Sequence, residues 1–515
     1  MHFPLEFDYV VVGGGTAGCI TAARLAEDPD VTVALLEAGP SDEGDIRVLE
    51  LKRCVEVMGS ELDWDYWVEP QELGNRDVRF NRARVLGGCS SHNAAIAFKA
   101  PDYDLRIWEE LGAQGWGPDG CAPYFDRIWE KVHCEYGCVE NDWERSAIEA
   151  CVEAGYPRVQ MGREDVGEGA GFFLLHKRGI YRTSSSISYL HPLDRLPANL
   201  AVMCDTETDR LLLDGRHAVG VETRRGPIGA RREVIVACGV INTPKLLMLS
   251  GIGPAEDLRN LGIAVVCDLP VGKHLIDHHE GVVMWESAAQ VPLESAQDWE
   301  CGVYAKSDPA LEVPDLLMPM GPVPYDLYTT TYGCPTCELG RGFAMAPYVL
   351  RPRSEGWVRL RSPRVEDKPL IDPRYHTDPE GHDTCVLLFG MRLARKLATM
   401  PALRDWVKRE LAPGSHVRDD SEELIEFTRR TGNTTYHPVG TCRMGALDDP
   451  RTVVGPDLRV KGIEGLRVAD SSIFPTHVGV NPAVTGMMIG EKAADLVRGR
   501  SAARVAAAAA ERSAA

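Results

Sequence analysis

Two irregular, glycine-bearing stretches hold the side chains best suited to proton chemistry. YHPVGTCRMG, residues 436 to 445, carries His437, and VNPAVTGMMIG, residues 480 to 490, carries Asn481. A histidine titrates near neutrality and can take a hydroxyl proton, while an amide beside it can hold the oxygen. A third stretch, VLGGCSSHN at 85 to 93, sets His92 behind a glycine-serine loop whose backbone can lie flat against a bound group. A fourth, VGKHLIDHHEGVV, brings His278, His279 and Glu280 together beside apolar positions. Such polar groups are costly to bury unless they meet partners. Zinc would need an H-E-x-x-H pattern or remote ligands, and neither is apparent. The pairs Cys134/Cys138 and Cys334/Cys337 do not repeat at zinc-finger spacing, so no metal is expected.

These residues need a frame. FDYVVVGGGTAGCITAARLAED reads as a short buried strand, a glycine turn and a helix. Gly13, Gly15 and Gly18 form G-x-G-x-x-G, with Thr16 and Ala17 opening the helix. The first glycine permits the turn, the second lets backbone approach a pyrophosphate, and the third lets helix pack on strand. The helix N-terminus adds N–H donors and a positive dipole end. A second strand, VTVALLEAG, ends at Glu37 and Ala38, where a carboxylate would meet ribose hydroxyls. Strand, glycines, helix, strand and acid in this order predict dinucleotide binding.

Beyond residue 100 the pattern predicts a helix at 103 to 111, a turn at GWGPDGCAPYF, and a surface loop at RTSSSISYLHP. Strands follow in LAVMCDT, RLLLD, AVGVET and REVIVACG, with turns at Asp214-Gly215 and at Arg225 to Gly229. They form an antiparallel excursion that returns to the dinucleotide-binding sheet. VINTPKLLMLSGIGP predicts a short helix from Asn242-Thr243-Pro244 to Gly251. GWVRLRS reads as a strand, and DTCVLLFGMRLARKLATM and DSEELIEFTRRT as helices. The last fifteen residues, SAARVAAAAAERSAA, read as a disordered tail.

Composition sets the bounds. The chain has 515 residues, 44% hydrophobic and 26% charged, too long for one ordinary core and otherwise ordinary for a globular protein. No apolar run is long enough to span a membrane. The start lacks a basic leader, and scattered cysteines in apolar segments look like reduced thiols, so a cytoplasmic location is expected. A net charge of −20 argues against a nucleic-acid partner and mildly favours a cationic ligand.

VVGGGTAG, VLGGCSSHN, YHPVGTCRMG and VNPAVTGMMIG together resemble the glucose-methanol-choline family of flavin alcohol oxidoreductases, most closely its choline-oxidising members. The resemblance runs from about Asp8 to about Arg498. It implies an α/β fold: a Rossmann-like FAD-binding domain from residues 1–155, 199–282 and 435–500, and an α+β, sheet-containing substrate domain from 156–198 and 283–434. FAD would be held by the G-x-G-x-x-G turn with Glu37 and Ala38, by Gly87, Gly88, Asn93 and Ala94, and by Asp470 and Pro482. His92 matches the histidine bonded covalently to the flavin ring. His437 and Asn481 match the pair acting on the substrate hydroxyl. Glu280 matches the residue facing the substrate's ammonium group, with His278, Trp299 and Tyr436 also at the substrate.

The implied reaction takes a primary amino or quaternary ammonium alcohol to an aldehyde, and onward to the acid, with oxygen as acceptor and peroxide released. Cys54 stands where those members have a tryptophan, Pro319 where they have a histidine, Ala94 where they have a serine, and Thr435 where they have a valine. A different alcohol of a secondary pathway, or lyase chemistry on the same fold, fits the same His437 and Asn481. A homodimer is left open.

Overall fold

The fold is described from a computed structural model over residues 3–75, 77–137, 141–165 and 167–500. Cys138 and the alanine-rich tail at 501–515 therefore lie outside the described residues. Two sheets organise the chain.

The first sheet is built on the strand Leu5–Val12, whose last residues Val10 and Val11 are fully buried. Burying one valine side chain contributes roughly 1.5–3 kcal/mol, so this β-branched run fixes the strand before any loop is placed. It pairs in parallel with Val33–Leu36 on one side and Gly226–Val236 on the other. Leu200–Met203 and Leu466–Val468 extend the parallel part, and His217–Thr223 with Thr208–Asp214 add the antiparallel excursion. Val12, Leu36 and Val236 therefore end at one edge, where ligands of open α/β sheets bind. The helix Thr16–Leu25 packs on this sheet, and Ala483–Val497 packs on that helix.

Among the described residues the second sheet has nine strands, in the order Val407–Ala412, Val283–Ser287, Gly342–Met345, Leu316–Gly321, Tyr348–Val349, His279–Glu280 and Asn433–Thr434, with Cys301–Ala305 attached at Leu316–Gly321 and Gly169–Phe172 paired to the far side of Cys301–Ala305. Its core holds Trp143, Trp285 and Phe343, and the helix His382–Ala398 covers it.

Four local expectations are corrected. GWGPDGCAPYF is mostly helix, because Pro118 opens Pro118–Lys131 at a position that needs no N–H. RTSSSISYLHP is buried rather than superficial: Ser184 caps the helix Ser185–Tyr189, and the Ser185 N–H donates to Ser90 Oγ at 3.0 Å. The hairpin turns at Arg224-Arg225, since Thr223 already pairs with Gly226. Gly229 lies in the strand, where a Cβ would sit 2.5 Å from the Phe3 ring. The helix expected from Asn242 starts at Gly239 and contains Pro244. Proline cannot donate to the Val240 carbonyl, and the Thr441 hydroxyl donates to it instead, at 2.6 Å.

Candidate active site

The fingerprint turn and the 85–93 stretch are packed back to back. Gly13 has φ 101°, and a Cβ on Gly18 would collide with the Gly13 carbonyl. Gly87, at φ 86°, donates its N–H to Gly14 O at 2.7 Å, and a Cβ on Gly88 would lie 2.6 Å from Gly15 Cα. Gly15 itself has open space beside it, with nothing nearer than 3.8 Å to a built Cβ. Residues 88–91 form a 3₁₀ turn rather than a flexible loop, and the Ser90 N–H donates to Thr16 Oγ1 at 3.2 Å.

A cavity of about 670 Å³ starts at this junction and reaches the second sheet. Its walls include Gly13, Gly15, Thr16, Ala17, Glu37 and Ala38 at one end. His92, Asn93, Ala94, Asp470 and Pro482 line its middle, and Glu280, Trp299, Tyr436, His437 and Asn481 its far end. Gly18 and Gly87 stand behind the wall, shaping the turns. His278, expected at the substrate, also stands off the wall, behind His437.

The donor set fits a flavin dinucleotide. Glu37 accepts from Gly14 N at 2.9 Å and Gly39 N at 2.8 Å, and burial pushes its carboxyl up to about 7. Asp470 has both oxygens engaged: Oδ2 takes Gly239 N and the Thr243 hydroxyl, and Oδ1 takes Ser472 N. It thus fixes the start of the 239–249 helix at the cavity wall. His92 is buried with Nδ1 lacking any hydrogen-bond partner among the described residues, and its ring faces the cavity.

Around His437 the hydrogen bonds assign the tautomers of His278 and His437. The Leu350 carbonyl can only accept, so His278 Nε2, 3.0 Å away, carries a proton and His278 Nδ1 does not. That nitrogen lies 3.1 Å from His437 Nδ1, which must therefore donate. Thr435 Oγ1 donates to His278 O at 3.1 Å and accepts from the same His437 N–H at 2.8 Å. His437 Nε2 is then bare toward the cavity, 3.2 Å from Asn481 Nδ2, and Asn481 Oδ1 accepts from the Tyr348 hydroxyl at 2.9 Å. Burial, with His477 and Arg82 near, holds the His437 imidazole well below its ordinary range, so the ring is neutral.

The turn that presents His437 is strained. Tyr436 has φ 62°, a left-handed conformation costly for a bulky residue. Arg82 Nη2 donates to its carbonyl at 2.7 Å, and Asp277 accepts from His437 N at 3.0 Å and from the Thr434 and Tyr375 hydroxyls at 2.5 Å. Arg82, Asp277, Tyr348 and Thr435 support the site without being signalled as partners by any local motif.

Glu280 shares Oε1 between the Tyr325 hydroxyl at 2.6 Å and Asn433 Nδ2 at 3.0 Å. No basic side chain among the described residues pairs with it, and burial pushes its carboxyl up to about 7. Trp299 stands edge-on to Tyr325, and Cys54 and Pro319 complete this end of the cavity.

Family models for GMC oxidoreductases match residues 7–280 and 352–490. The chain belongs to the GMC oxidoreductase family. It is an FAD-dependent oxidoreductase acting on alcohol CH–OH groups. It is 47% identical to the choline oxidase of Arthrobacter globiformis, over 99% of this chain and 97% of that protein. It is 35% identical to the mitochondrial choline dehydrogenase of Mus musculus, over 96% and 90%. Among solved structures, pyridoxine 4-oxidase from Mesorbium loti superposes with a TM-score of 0.88 at 28% identity, covering 96% of this chain and 99% of the other.

Proposed function

We propose that this GMC oxidoreductase oxidises a primary alcohol bearing a quaternary or protonated amine, in the manner of a choline oxidase, with oxygen as final acceptor. One observation carries the substrate class: Glu280, a buried carboxylate on the cavity wall with no basic partner among the described residues. Such a charge is costly unless a cation meets it. The similarity to choline oxidase and choline dehydrogenase supports the same class.

FAD, when bound, supplies the hydride acceptor and the route to oxygen. The G-x-G-x-x-G turn, Glu37 and Asp470 would hold its dinucleotide part, and His92 would carry it covalently through a ring nitrogen. The remaining chemistry belongs to side chains. His437 Nε2 takes the substrate hydroxyl proton, and Asn481, with Tyr348 fixing its amide, holds the oxygen. His278 and Thr435 receive the His437 Nδ1–H, keeping the correct nitrogen bare before the transfer and stabilising the charge afterwards. Glu280 and Trp299 hold the ammonium end, which orients the carbinol carbon. Cys54 and Pro319 leave this end wider and less polar than a tryptophan and a histidine would, so choline should bind less well than a bulkier amino-alcohol.

A panel of charged and neutral alcohols tests the proposal, with peroxide and aldehyde measured beside an artificial electron acceptor. Peroxide in step with aldehyde from cationic alcohols is expected. Turnover only with the artificial acceptor would remove the oxidase part, and carbonyl release without any acceptor would mean lyase chemistry.

A further inference from the structure

The positions facing Glu280 are more elaborate than a cation site requires. Glu280 lies opposite Asn433 in one antiparallel pair and opposite Tyr348 in the other. Asn433 Nδ2 donates to Glu280 Oε1 and to the Tyr325 hydroxyl, each at 3.0 Å, while that hydroxyl donates to the same Oε1 at 2.6 Å. The three side chains close a triangle on one carboxylate oxygen. Oε2 takes no hydrogen bond from the described residues, and Glu280 lines the cavity. The other ionisable groups nearby are Asp277 three residues before it in the chain, Tyr348 across the sheet, Tyr328 on the Tyr325 loop, and Tyr436 on the His437 turn. Asp277 opposes ionisation of Glu280, and none of the four brings a positive charge.

We propose that Tyr325 and Asn433 are positioning residues that keep Glu280 ionised and its second oxygen turned into the cavity, and so set the pH range over which the site accepts a cationic alcohol. This rests on the reading of Glu280 as the cation's partner. Burial alone drives a carboxyl toward its neutral form, and hydrogen bonds donated to the charged form oppose that drive. Even with both donors in place, Glu280 is pushed up to about 7. With either donor removed, the cavity would present a neutral acid at neutral pH and lose its attraction for an ammonium. Asn433 has its amide nitrogen toward Oε1 and leaves Oδ1 without a partner, so both groups reaching Oε1 are donors and neither offers an acceptor to a carboxyl proton.

The test titrates the holoenzyme with tetramethylammonium, a cation with no hydroxyl to oxidise, by calorimetry across the neutral range. Binding to the parent should weaken as pH falls through about 7. Tyr325→Phe and Asn433→Leu should each move that midpoint upward by about one unit, a loss of about fivefold in affinity at pH about 7 that approaches about tenfold at lower pH. Both should recover parental affinity at alkaline pH, which a merely structural role would not produce. A parental pH profile in both variants, or a loss that is the same at every pH, overturns the proposal. Glu280→Gln separates the two levels: if it binds tetramethylammonium as the parent does, the cation reading itself fails. If it loses binding while Tyr325→Phe and Asn433→Leu keep the parental profile, only the clamp fails.

Discussion

His92 and His437 sit at the same cavity, and their ring nitrogens are bonded differently. His92 has a buried ring nitrogen with no partner among the described residues, whereas His437 has both nitrogens assigned by neighbours. His92→Ala should still bind FAD, yet the denatured variant should release all of it on filtration while the parent retains a yellow polypeptide. Flavin released equally from both would remove the covalent role. His437→Ala and Asn481→Ala should each slow anaerobic bleaching of the flavin by about 10²- to 10⁴-fold, the usual cost of losing one positioned proton-transfer group. Near-parental bleaching in both would show that the hydroxyl is handled elsewhere. Glu280 adds a pH dependence of its own. Its carboxyl is raised, so the low-pH form is neutral and KM for a cationic alcohol should rise as pH falls through about 7.

At the scale of elements, the strands and helices with strong periodicity were legible in the sequence. Leu5–Val12, Thr16–Leu25, Val33–Leu36 and His382–Ala398 follow directly from apolar spacing. Two of the misreadings share one cause: a local signal whose partner lies far along the chain. Pro244 marks a helix start in isolation, but Thr441, 201 positions away from Val240, supplies the missing donor. The serines at 184 to 186 look like surface loop until Ser90 and Asp42 bond to them. The site shows the same division. His437, Asn481, His92 and Glu280 stood out by motif, while Asn433 and Tyr348 became visible only when distant strands paired with His279–Glu280, and Tyr325 and Asp277 only through their hydrogen bonds. Thr441→Val tests this view of the 239–249 helix. It strands the Val240 carbonyl and should cost about 1–3 kcal/mol, seen as a lower Tm with the spectrum of bound flavin unchanged. An unchanged Tm would mean that the carbonyl finds another donor.

Across the whole molecule, the edge of the parallel sheet and the strands His279–Glu280 and Asn433–Thr434 of the second sheet meet over one cavity. That junction collects buried carboxyls, with Glu37 and Glu280 pushed up to about 7 and Asp277 to about 6, each chiefly by burial. A carboxyl raised on folding contributes stability that is complete below its unfolded value and is lost as pH rises through the folded one. The Tm of Glu280→Gln should therefore gain on that of the parent between pH about 5 and 8 in the absence of substrate. A constant difference would place Glu280 among ionised, well-paired groups. The proposed cation site depends on the charge of Glu280. A carboxylate about 4 Å from an ammonium contributes on the order of 4 kcal/mol at an effective dielectric near 20, before desolvation is subtracted. A cation–π contact of the kind forgone at Cys54 is worth roughly 0.5–2 kcal/mol, so the charge should outweigh the missing ring. The most direct measurement compares kcat/KM for choline and for its uncharged isostere 3,3-dimethylbutan-1-ol, in the parent and in Glu280→Gln. The parent should favour choline by at least about tenfold, or 1.4 kcal/mol, and the variant should lose most of that preference. Equal use of the two alcohols by the parent would contradict the account and leave Glu280 a role in the fold alone.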